Sequence, residues 1–220
     1  MQTIVITGST RGIGKGLARE FLKLGHRVVL TGRSQAAVDA AVAELASPEV
    51  LGCVCDVRDM ASLEAVWTAA VARFGRVDIW ISNAAVATDR ALLGDLPAEQ
   101  IVATIETNLV AALVQIETAI EMFKDAGGGH LVLISSVLGN KGVPGIKAAY
   151  AASKAGVSSL GESLRAEYPN GPIKVTVLEP GYIESEMTAR SASTSPNTAS
   201  RSTESSASPS STTTPISTRS

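Results

Sequence analysis

Tyr150 and Lys154 stand four residues apart in Ala148-Ala149-Tyr150-Ala151-Ala152-Ser153-Lys154, at the start of a helical pattern. On a helix, side chains at i and i+4 share a face, so the phenol and the ammonium meet. A phenol of pKa ~10 is a poor base at neutral pH, and lowering it by three units takes about 4 kcal/mol. One cation ~4 Å away at an effective dielectric of ~20 supplies energy of that order. The pair could therefore exchange a proton with a substrate oxygen. A Tyr four residues before a Lys is common, however, and a helical surface pair without function is the alternative.

Other polar groups fall into the same frame. Ser135-Ser136 closes an apolar strand run, and Ser136 precedes Tyr150 by fourteen residues. A hydroxyl there could hydrogen-bond a substrate carbonyl. Asn108, in Thr107-Asn108-Leu109 of the preceding helix, could hold a water that links Lys154 to solvent. A buried Asn left without a partner costs ~1–3 kcal/mol, so a hydrogen bond to nearby backbone is its other reading. No GxSxG elbow is present for a hydrolase triad. His26 and His130 flank strands outside any metal-spaced cluster, and no metal is expected. Cys53 and Cys55 have neither thioredoxin nor zinc spacing and read as small apolar residues of one strand. Free thiols suit a reducing, cytoplasmic compartment.

A second constellation opens the chain. The first strand runs into Thr7-Gly8-Ser9-Thr10-Arg11-Gly12-Ile13-Gly14. Glycine permits the positive φ and close backbone approach that a turn around a pyrophosphate needs. A helix starting near Gly12 offers unpaired N–H groups to the same anion. The spacing is GxxxGxG rather than GxGxxG, and a tight strand-to-helix corner is the plainer reading. Its position after the first strand of a βα series favours cofactor binding. The second strand ends Thr31-Gly32-Arg33-Ser34, where an Asp or Glu would hold a ribose 2′-hydroxyl. Arg33 stands there instead, with Arg11 in the glycine turn, and guanidinium suits a 2′-phosphate. Unless both are merely solvated charges, the cofactor is NADP(H). Asp56-Val57, after the third strand, is placed to contact adenine. Asn83-Ala84-Ala85, after the fourth, lies where the cofactor must pass, although Asn83 could be an ordinary turn residue.

These residues need a scaffold. Thr3–Thr7, Arg27–Thr31, Leu51–Cys55, Val77–Ser82, His130–Ser135 and Lys174–Leu178 are short apolar runs with little alternation, as in strands covered on both faces. Helical patterns lie between them at Gly12–Leu24, Gln35–Ala46, Met60–Phe74, Ala98–Lys124 (in one or two pieces) and Ala148–Tyr168. Six βα repeats predict an α/β Rossmann fold, a doubly wound parallel sheet. The 220 residues carry 19 Lys+Arg against 21 Asp+Glu, a net charge of −2, which argues against nucleic-acid and polybasic membrane partners. No run reaches the ~18–20 apolar residues of a membrane span. Met1–Thr7 lacks the basic n-region of a signal peptide.

Taken together, Thr7–Gly14, Ser82-Asn83-Ala84-Ala85, Asn108, Ser136, Tyr150–Lys154 and Glu179-Pro180-Gly181 resemble the short-chain dehydrogenase/reductase family, in its single-domain branch, over about residues 2–188. The resemblance implies a hydride transfer between a nicotinamide and a carbonyl or secondary alcohol. Tyr150 would be the general acid/base, and Lys154 would lower its pKa and bind the nicotinamide ribose. Ser136 would polarise the substrate oxygen, and Asn108 would anchor a relay water. Pro180, Gly181 and Ile183 would border the nicotinamide, Ile183 through its backbone. The helices at Ala98–Lys124 and Ala148–Tyr168 resemble the pair that builds the family's dimer, so a homodimer is expected.

Three departures accompany the resemblance. Ala85 stands where the family usually has Gly, and the Ser136–Tyr150 interval is one residue longer than usual. Pro144-Gly145 could absorb that extra residue. The family's lid, last helix and seventh strand are expected after Gly181, yet residues 191–220 hold twelve Ser and seven Thr, with Ile216 as the only large apolar residue. Such a segment cannot offset an ordering cost of ~1–2 kcal/mol per residue. We expect a domain at 1–190 and a disordered tail at 191–220, from out-of-frame coding or an artificial end. A tetramer is doubtful without the missing elements. The competing reading is an NADP(H)-binding regulatory protein with weak or no turnover, its site open for want of a lid. Val86, Leu138, Val143 and Ile146 favour a hydrophobic carbonyl substrate.

Overall fold

The computed structural model describes residues 1–89, 91–141 and 148–183. Its strands are β1 (Thr3–Ile6), β2 (Arg27–Gly32), β3 (Val50–Val54), β4 (Ile79–Ser82), β5 (Gly129–Ile134) and β6 (Ile173–Leu178). They form one sheet in the order β3-β2-β1-β4-β5-β6, with every neighbouring pair parallel. Between them lie α1 (Gly12–Lys23), α2 (Gln35–Leu45), α3 (Met60–Phe74), α4 (Ala98–Ile105), α5 (Ala111–Asp125) and α6 (Ala148–Glu167). The strand order turns back between β1 and β4, which opens a crevice above their carboxyl ends.

Alternate residues of each strand feed opposite layers, as the pleat requires. Ile4, Ile6, Val28 and Ile81 pack with Ala18, Leu17 and Phe21 of α1. Val5, Val29, Trp80, Leu131 and Leu133 face the other way, onto buried residues of α3, α5 and α6. Leu24, expected as the last residue of the first helix, is 71% exposed. The helix stops at Lys23, so Leu24 sits in the C-cap turn, off the buried stripe.

The stretch expected as helix over 98–124 is two α-helices joined by a π-turn at Glu106–Val110. Its span Ala98–Asp125 is long and apolar enough to cross a membrane by length and composition. Its Ala111, Ile116, Ala119 and Phe123 are instead spent on the sheet. The expected tail, the lid beyond Ile183, and Val143, Pro144, Gly145 and Ile146 lie outside the described residues.

Candidate active site

The glycine turn is built by three strands. Thr31 of β2 accepts from the Gly8 N–H through Oγ1 (3.2 Å) and from the Ser9 N–H through its carbonyl (2.8 Å). Ser9 is fully buried, its hydroxyl donating to the Ile6 carbonyl (2.6 Å) and accepting from the Thr31 N–H (2.9 Å). Just past β4, Asn83 donates through Nδ2 to the Thr7 carbonyl (2.8 Å) and the Gly8 carbonyl (3.2 Å). Thr7 Oγ1 in turn accepts from the N–H groups of Asn83 (3.0 Å) and Ala84 (3.2 Å). Gly8, at φ 62°, passes so close that a Cβ would meet the Ala84 Cα at 2.8 Å.

Gly12, at φ 56°, faces open space: nothing lies within 4 Å of where a Cβ would stand. Helix α1 starts here with neither a side-chain cap nor an acidic residue in its first turn. Its amino end is therefore left to an anion. That cradle fits the pyrophosphate of a dinucleotide.

From this turn a cleft of about 660 Å³ runs along the carboxyl edge of the sheet. Of the residues singled out from sequence, Gly8, Thr10, Arg11, Gly12, Ile13, Arg33, Asp56, Val57, Asn83, Ala84, Ala85, Ser136, Tyr150, Lys154, Pro180, Gly181 and Ile183 line it. Ser9, Gly14 and Asn108 do not. Ser9 and Gly14 are both buried, Ser9 as a strut of the turn and Gly14 where a Cβ would meet Asn83 Nδ2 at 2.6 Å. Their contribution is to hold the cradle's shape.

Asn108 is 1% exposed, inside the π-turn. Its Nδ2 donates to the Val86 carbonyl (2.8 Å) and Ser153 Oγ (3.1 Å), and its Oδ1 accepts from the Val86 N–H (2.8 Å). Both amide hydrogens are thus used within the protein. These bonds clamp the loop after β4 onto α6. A π-turn inserts one residue into a helix and re-aims what it carries, which is why such turns gather at functional sites.

At the far end of the cleft Tyr150 and Ser136 share a side-chain hydrogen bond, which pulls the phenol pKa down while burial pushes it up more strongly. Lys154 sits with Nζ 5.8 Å from the Tyr150 ring centroid and donates to the Ile134 carbonyl at 2.6 Å. Burial brings its pKa down to about 8. Burial, rather than the lysine, sets the direction of the Tyr150 shift. The lysine's hydrogen bond is spent on the strand carbonyl instead. Ser135 holds the lysine's backbone, its hydroxyl donating to the Lys154 carbonyl at 2.8 Å.

Several cleft residues had no sequence signal of their own: Ser34, Ala37, Cys55, Arg58, Thr107 and Tyr182. Burial pushes the Cys55 thiol up to about 12, so it stays protonated. Arg58 grips Asp56 in a fork, Nε to Oδ1 at 3.0 Å and Nη2 to Oδ2 at 2.6 Å. That pairing holds the Asp56 carboxyl at about 2, below the usual carboxylate range.

A doubly wound sheet, an anion cradle at its reversal point and a Ser–Tyr–Lys cluster on the same edge define a nicotinamide-dependent oxidoreductase. Residues 2–196 match the model of the short chain dehydrogenases, and the chain belongs to that family. The match extends past the seam expected near residue 190. An uncharacterised oxidoreductase of Mycobacterium tuberculosis is 56% identical over 198 residues, spanning 88% of this chain and 78% of that protein. Actinorhodin polyketide ketoreductase, solved with NADPH, superposes at TM-score 0.79 with 32% identity, over 86% of this chain and 73% of its own. The 3-ketoacyl-(acyl-carrier-protein) reductase of Brucella melitensis, solved with NADH, reaches 0.81 with 25% identity, over 86% of this chain and 79% of its own. A nicotinamide cofactor is common to these neighbours, and its phosphorylation is not.

Proposed function

We propose that this protein interconverts a small carbonyl compound and its secondary alcohol using NADP(H), with Tyr150 as general acid/base. The observation that carries the reading is the Ser136–Tyr150 hydrogen bond at the end of the cleft that begins at the glycine turn. Gly8, Thr10, Gly12 and Ile13 would hold the pyrophosphate, Asn83, Ala84 and Ala85 the middle of the cofactor, and Pro180, Gly181 and Ile183 the nicotinamide end. A nicotinamide bound there would supply hydride for reduction and accept it in the reverse direction.

The chain's own groups handle the proton. Ser136 donates a hydrogen bond to the substrate oxygen and orients it. Tyr150, kept protonated by burial, gives its phenolic proton to that oxygen as negative charge develops on it. Lys154 steadies the resulting phenolate with its charge. The choice of NADP(H) is supported by Arg11 and Arg33 on the cleft wall, with Ser34 beside them at the uncapped start of α2. A hydrophobic substrate is supported by Val86, Val137, Leu138 and Tyr182 around the reacting end. A homodimer through the helices at 98–125 and α6 is supported by Val102 of α4, Val110 of the π-turn and Leu113 of α5, each about half exposed. Two free thiols, Cys53 and Cys55, suit a cytoplasmic setting.

The test is a panel of ketones and secondary alcohols with NADPH or NADP, run beside direct cofactor binding. Tyr150→Phe should lose roughly 10²–10⁴-fold in turnover while cofactor affinity stays within about twofold. Equal turnover by that variant would overturn the proton assignment. Binding of NADPH without turnover of any substrate in the panel would favour the regulatory reading.

A further inference from the structure

Glu179 follows the last residue of β6, in the run Glu179-Pro180-Gly181, and the proton-transfer steps do not use its carboxylate. A carboxylate at the surface is ordinarily left to water. Here each oxygen accepts from an uncharged side chain of a different element: Oε2 from Asn140 Nδ2 at 2.8 Å, and Oε1 from Ser158 Oγ at 2.7 Å. Ser158 belongs to α6, which also carries Tyr150 and Lys154. Asn140 ends the single 3-10 turn Val137–Gly139, whose first cap is Ser136. One carboxylate thus joins the two segments that hold the reacting groups.

That turn decides where the Ser136 hydroxyl points. Ser136 Oγ accepts from the Leu138 N–H at 3.2 Å, which leaves its own hydrogen to face Tyr150 and a substrate oxygen. The turn lies against α6 with little room to spare: a Cβ on Gly139 would stand 2.9 Å from the Lys154 carbonyl carbon and the Ala155 nitrogen. Its near end is held by backbone, the Ser135 N–H donating to the Leu178 carbonyl (2.7 Å) and the Val137 N–H to the Pro180 carbonyl (3.2 Å). At its far end the Asn140 N–H bonds back into the turn, to the Val137 carbonyl at 3.2 Å. The Asn140 side chain ties that end outward, to Glu179 and through it to α6. Ser158 gives its hydrogen to the carboxylate, so Ser135 is the donor between the two serines (2.8 Å), its one hydrogen shared with the Lys154 carbonyl.

We propose that Glu179 is a positioning residue for the reaction: by holding Asn140 and Ser158 together it fixes the turn that aims the Ser136 hydroxyl at Tyr150. This inference rests on the reading of Ser136 and Tyr150 as the reacting pair. Glu179 acts through Ser136 and touches neither substrate nor cofactor, so its loss must appear in turnover rather than in cofactor affinity.

The experiment combines turnover, cofactor binding and amide hydrogen exchange on the full chain. Glu179→Ala should speed exchange of the amides at 137–140 roughly tenfold, through the loss of one charge-assisted hydrogen bond. With it kcat should fall about tenfold, while the Kd for NADPH stays within about twofold. Ser136 lowers the Tyr150 pKa through their hydrogen bond, so a displaced Ser136 also moves the rise of alcohol oxidation with pH upward, by about half a unit. A fold merely weakened would lower the rate without moving that midpoint. Glu179→Gln keeps an oxygen for Ser158 and offers its amide to a turned Asn140 side chain, and it should recover most of the lost rate. Adding Asn140→Ala to Glu179→Ala should cost little more, because the two residues share one bond. Unchanged exchange or unchanged kcat in Glu179→Ala overturns the proposal, as does a loss of rate with the midpoint unmoved, or a Glu179→Gln variant no better than Glu179→Ala. Full turnover by Tyr150→Phe overturns the reading of the reacting pair instead, and the exchange at 137–140 still decides whether Glu179 holds the turn.

Discussion

Lys154 donates from Nζ to the Ile134 carbonyl at 2.6 Å, at a depth where 3% of the residue meets solvent. A charge held that deep is costly, and the fall of its pKa from 10.5 to about 8 corresponds to a burden on the order of 3 kcal/mol. Lys154→Met keeps the length of the side chain and removes the charge. The variant loses the bond to Ile134, worth ~1 kcal/mol, so a net gain of about 2 kcal/mol in stability at pH 7 is expected. Chemical denaturation checks this, with turnover falling at the same time. A less stable Lys154→Met would mean that the ammonium is retained for the fold rather than for chemistry.

The same shift sets a pH window. The folded Lys154 releases its proton near 8, whereas the unfolded chain holds it to about 10.5. Between those values the unfolded state binds more protons, so the wild-type stability contribution from this group rises with pH. Activity moves the opposite way. Neutral Lys154 no longer steadies a phenolate, so kcat/KM for carbonyl reduction should fall as pH passes about 8. Tyr150, whose pKa burial raises, must lose its proton before it can act as a base, so alcohol oxidation should favour higher pH than reduction. Rate profiles in both directions test the pair, and a reduction profile level to pH 10 would contradict it.

Asn108 matches both polar groups of the Val86 backbone, one bond each way at 2.8 Å. Asn108→Asp preserves the acceptor for the Val86 N–H but sets a second oxygen against the Val86 carbonyl. Asn108→Ala leaves both groups of Val86 and the Ser153 hydroxyl without that partner. Each unpaired buried group costs ~1–3 kcal/mol, so both variants should melt several degrees lower. Because Val86 lines the cleft, KM for substrate should rise in whichever variant still folds. A wild-type melting temperature in Asn108→Ala would show the clamp to be dispensable.

The parallel sheet was legible because strands buried on both faces spell themselves as continuous Val, Ile and Leu runs. Boundaries moved by a residue or two: Val77 is buried ahead of β4, which begins at Ile79. The Tyr150–Lys154 helix and the glycine cradle were legible because their chemistry depends on local spacing. What escaped depends on residues distant in sequence. The apolar pattern across 98–125 runs on through the π-turn, whose Asn108 is matched by Val86, 22 residues away. Ser9 looked like a cofactor contact until Thr31, again 22 residues away, claimed its hydroxyl. Burial of the Tyr150 phenol, which raises its pKa, also depends on residues distant in sequence and is not spelled by the Tyr150–Lys154 spacing.

Two nearby glycines of α1 separate conformational need from mere presence. At Gly14 a Cβ would stand 2.6 Å from Asn83 Nδ2, 2.8 Å from the Ser9 Cα and 3.0 Å from the Gly8 carbonyl. Two of those neighbours are backbone of the cradle itself, and the third is the side chain that holds the cradle to β4. Nothing there can give without moving the phosphate turn. Gly14→Ala should therefore weaken cofactor binding at least tenfold and lower stability by roughly 1–3 kcal/mol, as overpacking does. Gly16 has nothing within 4 Å of its Cβ position and lies within the helix. There Gly16→Ala should add up to ~1 kcal/mol through helix propensity alone and leave cofactor affinity unchanged. Denaturation and cofactor titration of the two variants, side by side, decide the matter: equal effects at both positions would mean that the close approach at Gly14 does not shape the turn.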